Sequence, residues 1–450
     1  MKKLTLILLT LIIVVAVNAQ KKWPDPVNGV ITLQPGVIYE GKTFNKLKNT
    51  LIIGNGAFIL GFQDYDGKMP ILYEPDVITY NGELLYWSQG EGGESYIYRD
   101  GEYKWYLLKV KNTGQNGNGL TVNDPATVTD NTYAYTPALF GLLNRNLHVT
   151  DHSGIQFSST GEGLEFNDCE NIIIQDLIIC GFNRRGIKTK GGNSIIIRNV
   201  EIWGVGWDGI GTEGTTNVHV FNSNIHDVLG NGINFSGNNY GKVHNTTFKR
   251  IGLQPGKGEF NGETNYIPAC AIRNDQGNNC EFTFNKIDST QYNGIGSWSC
   301  DGTVISDNII SNTNLLLDDG GAIYTWARSS QGSYVTNTII RNNHITNAIG
   351  STYLIDGNDL YLDASGIYMD DGNRGALIEN NIVRNATRAL FVHNSDKINI
   401  RNNQFFNCTA GILYRNNHSS HDIVGSNFEG NYVEANDYLI YTWSQSESNK

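Results

Sequence analysis

A short apolar step recurs through the C-terminal two-thirds of the chain, at Gly186-Ile187, Gly209-Ile210, Gly232-Ile233, Ala271-Ile272, Gly294-Ile295, Ala322-Ile323, Gly366-Ile367, Ala389-Leu390, Gly411-Ile412 and Leu439-Ile440. Successive steps lie 23, 23, 39, 23, 28, 44, 23, 22 and 28 residues apart, so the base period is 22 to 23 residues with insertions in four coils. A fixed period of this size marks a chain that grows by stacking small units rather than by enlarging one core. About 430 residues therefore need not divide into separate globular domains.

The kind of unit follows from the pattern within each period. Segments such as Ser194-Ile-Ile-Ile-Arg-Asn and Thr303-Val-Ile-Ser-Asp-Asn alternate in steps of two and end at turns, which is strand rather than helix periodicity. A leucine framework is absent, which removes the leucine-rich repeat. A second column supports the first: Asn285, Asn308, Asn343, Asn381 and Asn403 each stand two places before an apolar residue. Stacked Asn side chains bond their equivalents one layer away, and these are read as structural. The fold class expected is all-β, a single-stranded right-handed parallel β-helix. Each coil then holds about three strands, stacked ~4.8 Å apart.

The ends and the composition bound where such a chain works. Lys2 and Lys3 precede an apolar run from Leu4 to Val17 and the small-residue site Val17-Asn18-Ala19, which reads as a signal peptide over 1–19. An N-terminal anchor is the alternative; the run is short for a membrane span, and no later stretch is long enough. The expectation is a secreted, periplasmic or cell-surface monomer. A net charge of −11 argues against a nucleic-acid partner, which needs a basic footprint. The cysteines Cys169, Cys180, Cys270, Cys280, Cys300 and Cys408 show no metal-site spacing, leaving buried thiols or disulfides.

Residues 20–62 read as opening coils. The stretch 63–137 breaks the period and is rich in Tyr and Trp. It is expected to be an antiparallel β insertion packed beside the stack, with a separate carbohydrate-binding module as the alternative. The helix is expected over 138–450, with the period resuming by about Leu147. No capping segment is evident after the Leu439 rung.

Used as a ruler, the ladder says which side chains face outward. Counting the Gly or Ala of each rung as the first position, the second and fourth point inward and the third and fifth outward. The third position holds Arg273, Tyr324 and Tyr368; the fifth holds Trp298, Trp326, Asp370 and His393. Flat rings beside titratable groups suit a sugar-binding cleft; a merely polar strand face is the alternative. Trp298, Trp326, Tyr324 and Tyr368 are expected as sugar platforms, with Arg273, Asp318 and Asp363 bordering the substrate.

The carboxylates concentrate in two coils, Asp318-Asp319-Gly-Gly-Ala-Ile and Asp363-Ala-Ser-Gly-Ile-Tyr-Met-Asp370-Asp371. Asp319 and Asp363 share a column, so they are expected one rung apart. Insertions at 311–317, 327–335 and 348–362 are expected to wall the site. Close carboxylates drive one pKa up, so that one group donates a proton while another stays ionised, which glycoside hydrolysis requires. Ca²⁺ binding by the same oxygens and Asp capping of Gly-rich turns are the competing readings. His393 follows Asp370 in its column and is expected to tune charge or touch substrate. No cofactor or metal is assigned, with Ca²⁺ the one alternative.

The ladder, the Asn column and the segments DDGGAIYTW, GIYMDDG and ALFVHNSDKINIRNN resemble the right-handed parallel β-helix superfamily of secreted bacterial proteins, the pectate-lyase-like group. They are most similar to its glycoside hydrolases, including fucosidase- and xylanase-type members, in which aspartates of neighbouring coils are catalytic. That resemblance points to Asp319 with Asp370 or Asp371. Polygalacturonases match less well: Gln291-Tyr-Asn-Gly-Ile-Gly stands where they carry Asn-Thr-Asp-Gly-Ile-Asp, and their Gly-His-Gly and Arg-Ile-Lys motifs are missing. The lyase branch implies a Lys or Arg base and often Ca²⁺; Lys190 and Arg273 face outward without a lyase signature around them. The resemblance thus implies a carbohydrate-active enzyme, with a uronate lyase or a non-catalytic glycan-binding β-helix as alternatives.

Overall fold

The structure is a computed structural model that describes residues 21–64, 77–80, 83–88, 98–100, 104–108, 155–159, 161–253, 268–327, 334–350, 363–417 and 425–444. The apolar step sets its architecture. Ile187, Ile210, Ile233, Ile272, Ile295, Ile323, Ile367, Leu390, Ile412 and Ile440 lie in one register through a parallel twelve-stranded sheet. Every rung read from the sequence is in that sheet. Two earlier rungs, Leu164–Asn167 and Lys42–Asn45, continue it. Leu164 follows a Gly and was legible; Lys42 stands at an inward position and broke the pattern. Its ammonium lies 5.4 Å from the Trp23 ring and 5.2 Å from Phe44, so the rings accommodate the charge.

The remaining strands form a second, 21-stranded sheet that wraps the rest of each coil. Its bends use left-handed residues: Asp176 (φ 60°) and Asn199 (φ 51°) turn the 13-residue strands Glu170–Phe182 and Asn193–Val205 around a corner. Asn and Asp tolerate this conformation better than branched residues, which explains their abundance. Inward positions fill the lumen as expected: Ile323, Thr325, Ile367, Met369, Leu390 and Val392 are buried.

The Asn column is a continuous buried hydrogen-bond chain. Each Nδ2 donates to the Oδ1 of the next coil, Asn285 to Asn308 (3.0 Å), Asn308 to Asn343 (2.9 Å), Asn343 to Asn381 (2.9 Å) and Asn381 to Asn403 (3.0 Å). Asn431 extends it, accepting from Asn403 at 2.9 Å. All six cysteines are buried free thiols, which removes the disulfide alternative.

The insertion forms a six-stranded sheet beside the stack. Its pairs are antiparallel except one, Glu83–Ser88 with Lys104–Leu108, which run parallel. Its extent needs correction. Ile155–Phe157, expected inside the helix, pairs antiparallel with Gln63–Asp64 and Ile78–Tyr80. Stacking resumes at Leu164, because the chain must return to the rung it left, Lys42–Asn45. Val77 anchors the sheet in an apolar cluster with Phe62 and Leu229, against which Trp203 packs. The signal peptide expected over 1–19 lies outside the described residues, as do wall segments 328–333 and 351–362. Among the described residues, no helix is long and apolar enough to cross a membrane.

Candidate active site

Three successive rungs, Gly320–Trp326, Ala364–Asp370 and Arg388–His393, build the site. Their register places Tyr368 between Tyr324 and Phe391, and Trp326 beside Asp370. Rings one rung apart must stack. Tyr368 lies face to face with Phe391 (centroids 4.6 Å) and edge-on to Tyr324 (5.2 Å). Tyr324 and Tyr368 are 7% and 3% exposed. The expectation that they serve as open sugar platforms is therefore corrected: their faces are covered, and their hydroxyls hold carboxylates. Trp298 and Trp326 remain half-buried at the rim of this cluster.

Asp319 opens the site. Gly320 after it is required, since a Cβ there would come within 2.5 Å of Asn314 Nδ2 and 2.6 Å of Asn293 Oδ1. Asp319 itself is left-handed (φ 53°), which takes its side chain out of the strand alternation. The column placed it beside Asp363, and the backbones do pair, with Asp319 N–H donating to Asp363 C=O at 2.7 Å. The carboxylates diverge. Asp363 forms an ion pair with Arg388. Asp319 instead faces Tyr368, whose hydroxyl donates to its Oδ1 at 3.4 Å, while Tyr292 O–H bonds its backbone carbonyl at 2.6 Å. Asp319 reaches solvent at the mouth of the site. The protein crowded behind it displaces water, and this with the Asp370 charge pushes its carboxyl above the usual range; Arg388 and the Tyr368 hydroxyl pull the other way.

Asp370 is surrounded by donors. Tyr324 O–H donates to Oδ2 at 2.8 Å, and the Asp371 N–H to Oδ1 at 3.0 Å. His393 Nδ1 lies 2.8 Å from Oδ1, as the shared column predicted. Burial, then the charge of Asp370, raises both the Tyr324 and Tyr368 phenols, so they stay protonated donors. Asp371 turns away at φ 27° and accepts from Asn394 Nδ2 at 2.7 Å. Of the two aspartates the sequence offered as partners for Asp319, Asp370 is the one that faces it.

Asp370, Asp371 and His393 bring three donor atoms within 4.8 Å, a set that could hold a divalent ion. An imidazole among them suits a transition metal better than Ca²⁺. Asp318 accepts the Asp363 N–H at 3.4 Å beside the rung. Arg273 sits two rungs away, 4.4 Å over the Trp298 ring and 3.6 Å from Asp275.

The sequence reading missed four residues. Arg388 stands on the rung itself, also bonding Ser365 Oγ at 3.1 Å, with its guanidinium pulled down to about 10 by burial. Its outward turn was hidden because it precedes the first ladder position. Tyr292, Asn394 and Asn417 lie in turns, where no periodicity points to them.

A sequence profile for the family described as "Right handed beta helix region" matches residues 142–267 and 259–450. No curated protein sequence matches the chain. Among solved structures it is similar to an alginate lyase from Paenibacillus sp. str. FPU-7, at 16% identity and TM-score 0.33, over 56% of this chain and 75% of that one. It is similar also to DFA-IIIase from Arthrobacter chlorophenolicus A6, at 12% identity and TM-score 0.38, over 62% of this chain and 61% of that one. A third is the catalytic domain of a GH87 alpha-1,3-glucanase, at 13% identity and TM-score 0.36, over 63% of this chain and 56% of that one. The chain thus spans less than two thirds of the last two. The profile covers well over half of the chain, which belongs to the right-handed β-helix family.

Proposed function

We propose that this protein is a secreted carbohydrate-active enzyme, a glycoside hydrolase in which Asp319 protonates the leaving oxygen and Asp370 acts as the base or nucleophile. The observation that carries this reading is the unequal treatment of the two carboxylates. Crowding and the neighbouring negative charge raise the Asp319 carboxyl above its usual range, while Asp370 receives hydrogen bonds from the Tyr324 hydroxyl and the Asp371 N–H. Two carboxyl groups in such different surroundings can divide the roles of acid and base between them. Trp298 and Trp326, at the rim, supply faces for sugar rings.

The lyase alternative is less well supported. A lyase needs a cation for the uronate carboxylate and a basic group for the α-proton. Arg388 and Arg273 already carry Asp363 and Asp275, and the tyrosines are held protonated. No metal enters the proposed chemistry.

The test is a panel of neutral and uronate glycans, assayed for new reducing ends and for ultraviolet absorbance of an unsaturated product. Reducing ends without absorbance support the reading; a rise in absorbance refutes it. Asp319→Asn should lower turnover by about 10²–10⁴-fold while glycan binding persists. Full activity in that variant removes Asp319 from the chemistry.

A further inference from the structure

The hydrogen bonds around His393 leave its ring one arrangement of protons. Its Nε2 faces two amide nitrogens, Asn394 Nδ2 at 3.1 Å and Asn417 Nδ2 at 3.0 Å. An amide can ordinarily be turned over to present its oxygen, which would make Nε2 a donor. Neither of these can. The other Asn394 contacts are Nδ2 donating to Asp371 Oδ1 at 2.7 Å and Oδ1 accepting the Asn417 N–H at 2.6 Å. Turning it over would set oxygen against carboxylate and amide N–H₂ against N–H. Asn417 Oδ1 accepts from Arg415 Nε at 2.9 Å, so its reversal would set two donors together. Two donors therefore converge on Nε2, which must be an acceptor. The ring proton then sits on Nδ1, donated to Asp370 Oδ1.

We propose that Asn394 and Asn417 are positioning residues that lock His393 as the neutral Nδ1–H tautomer, so that it is a permanent hydrogen-bond donor to Asp370 and neither a proton shuttle nor a metal ligand through Nδ1. The inference deepens the hydrolase reading and rests on it for its catalytic meaning. The charged groups facing the ring are Asp370 and Asp371 from one rung, Asp319 from the rung before and Arg415 from the rung after, with Phe391 stacked beside it at 5.3 Å. The paired amides decide, because a second proton on Nε2 would meet two N–H₂ groups with no acceptor between them. With Nδ1 protonated, the same ring cannot complete an ion site with Asp370 and Asp371 through that nitrogen.

The experiment is a long-range ¹⁵N–¹H spectrum of the full chain with ¹⁵N-labelled histidine, recorded at pH 7. His393 is assigned by its loss in His393→Gln. The expected signal is a protonated Nδ1 and a bare Nε2. A protonated Nε2 in the unaltered protein at pH 7 overturns the proposal. Asn417→Asp keeps the acceptor for Arg415 but replaces the donor facing Nε2 with an oxygen, and should place a proton on Nε2. An unchanged His393 spectrum in a folded Asn417→Asp protein also overturns it. The kinetic arm is separate. Release of the fixed Nδ1–H donor to Asp370 should lower kcat in Asn417→Asp while KM stays unchanged. If no glycan is cleaved by the unaltered protein, the hydrolase reading fails while the spectrum still decides the lock.

Discussion

Asn343 sits in the coil that leads from the Asp319 rung to the Asp370 rung, so its loss should be felt at the site as well as in the fold. It is fully buried and makes four side-chain hydrogen bonds. Its Oδ1 accepts from Asn308 N–H (3.1 Å) and Nδ2 (2.9 Å), and its Nδ2 donates to Asn381 Oδ1 (2.9 Å) and Ile305 C=O (3.0 Å). Asn343→Ala removes all four and leaves buried partners that water cannot reach. At about 1 kcal/mol net for each bond, the loss is about 4 kcal/mol, rising to ~6 kcal/mol if the orphaned groups find no substitute. Asn431→Ala is the internal control. It belongs to the same column but is only half-buried, so water replaces what it loses, and the expected cost is ~1–2 kcal/mol. Urea unfolding followed by tryptophan fluorescence gives the two values. Hydrogen exchange should show Gly320–Trp326 and Ala364–Asp370 losing protection first in Asn343→Ala, since a stacked chain opens locally before it melts. A loss below ~1 kcal/mol for Asn343→Ala, or equal losses for the two variants, would refute the view that the buried amide column holds the coils together.

Activity should fall as pH rises through the raised carboxyl of Asp319, because the acid must be protonated; Asp370→Asn should move that limb to lower pH even as it removes most turnover, and a single-turnover pH profile checks both. Asp319→Asn should modestly raise stability at neutral pH. A carboxyl raised by folding binds its proton more tightly in the native state, so its ionised form opposes folding above the unfolded pKa; Asp319's access to solvent keeps the gain small, and urea midpoints at pH 4 and pH 7 measure it. Removal of metal ions with a chelator should leave turnover unchanged, and a loss restored by one added metal would instead assign Asp370, Asp371 and His393 as ligands. Thiol reagents should label none of the six cysteines in the native protein and all six in denaturant, because each is buried and burial holds Cys270 and Cys280 up at about 12.

The architecture was legible because it is written in backbone periodicity. Ten apolar steps fell in one sheet, and five asparagines in one bonded column, since stacking repeats the same demand at every coil. Asp370 and His393 were also legible, both being extended residues at equivalent positions. The pairing of Asp319 was not. Its left-handed backbone breaks the alternation on which the column rests, so the residue beside Asp363 in register faces Tyr368 and Asp370 in space. The aromatic column misled for another reason: alternation shows that Tyr324 and Tyr368 leave the lumen, but only the rung spacing shows that they cover each other. Arg388 and the two amides on His393 lie in turns or at rung edges, where side-chain direction is set by neighbours the sequence does not name.

The return of the chain to Lys42–Asn45 has a consequence for how the molecule assembles. Where no insertion intervenes, facing residues are 22 or 23 apart in sequence, as in Gln175 with Arg198; across this joint they are 122 apart, as in Thr43 with Glu165. Closing the longer loop raises the entropic cost by only roughly 1.5 kcal/mol, because the cost grows with the logarithm of length. The joint is thus cheap at equilibrium but late in time. Coils from Leu164 onward can stack on near neighbours as they emerge, whereas the opening coils must find their partner across the whole excursion. The opening coils are therefore expected to dock last, as a splint that covers the edge of Leu164–Asn167 rather than nucleating the stack.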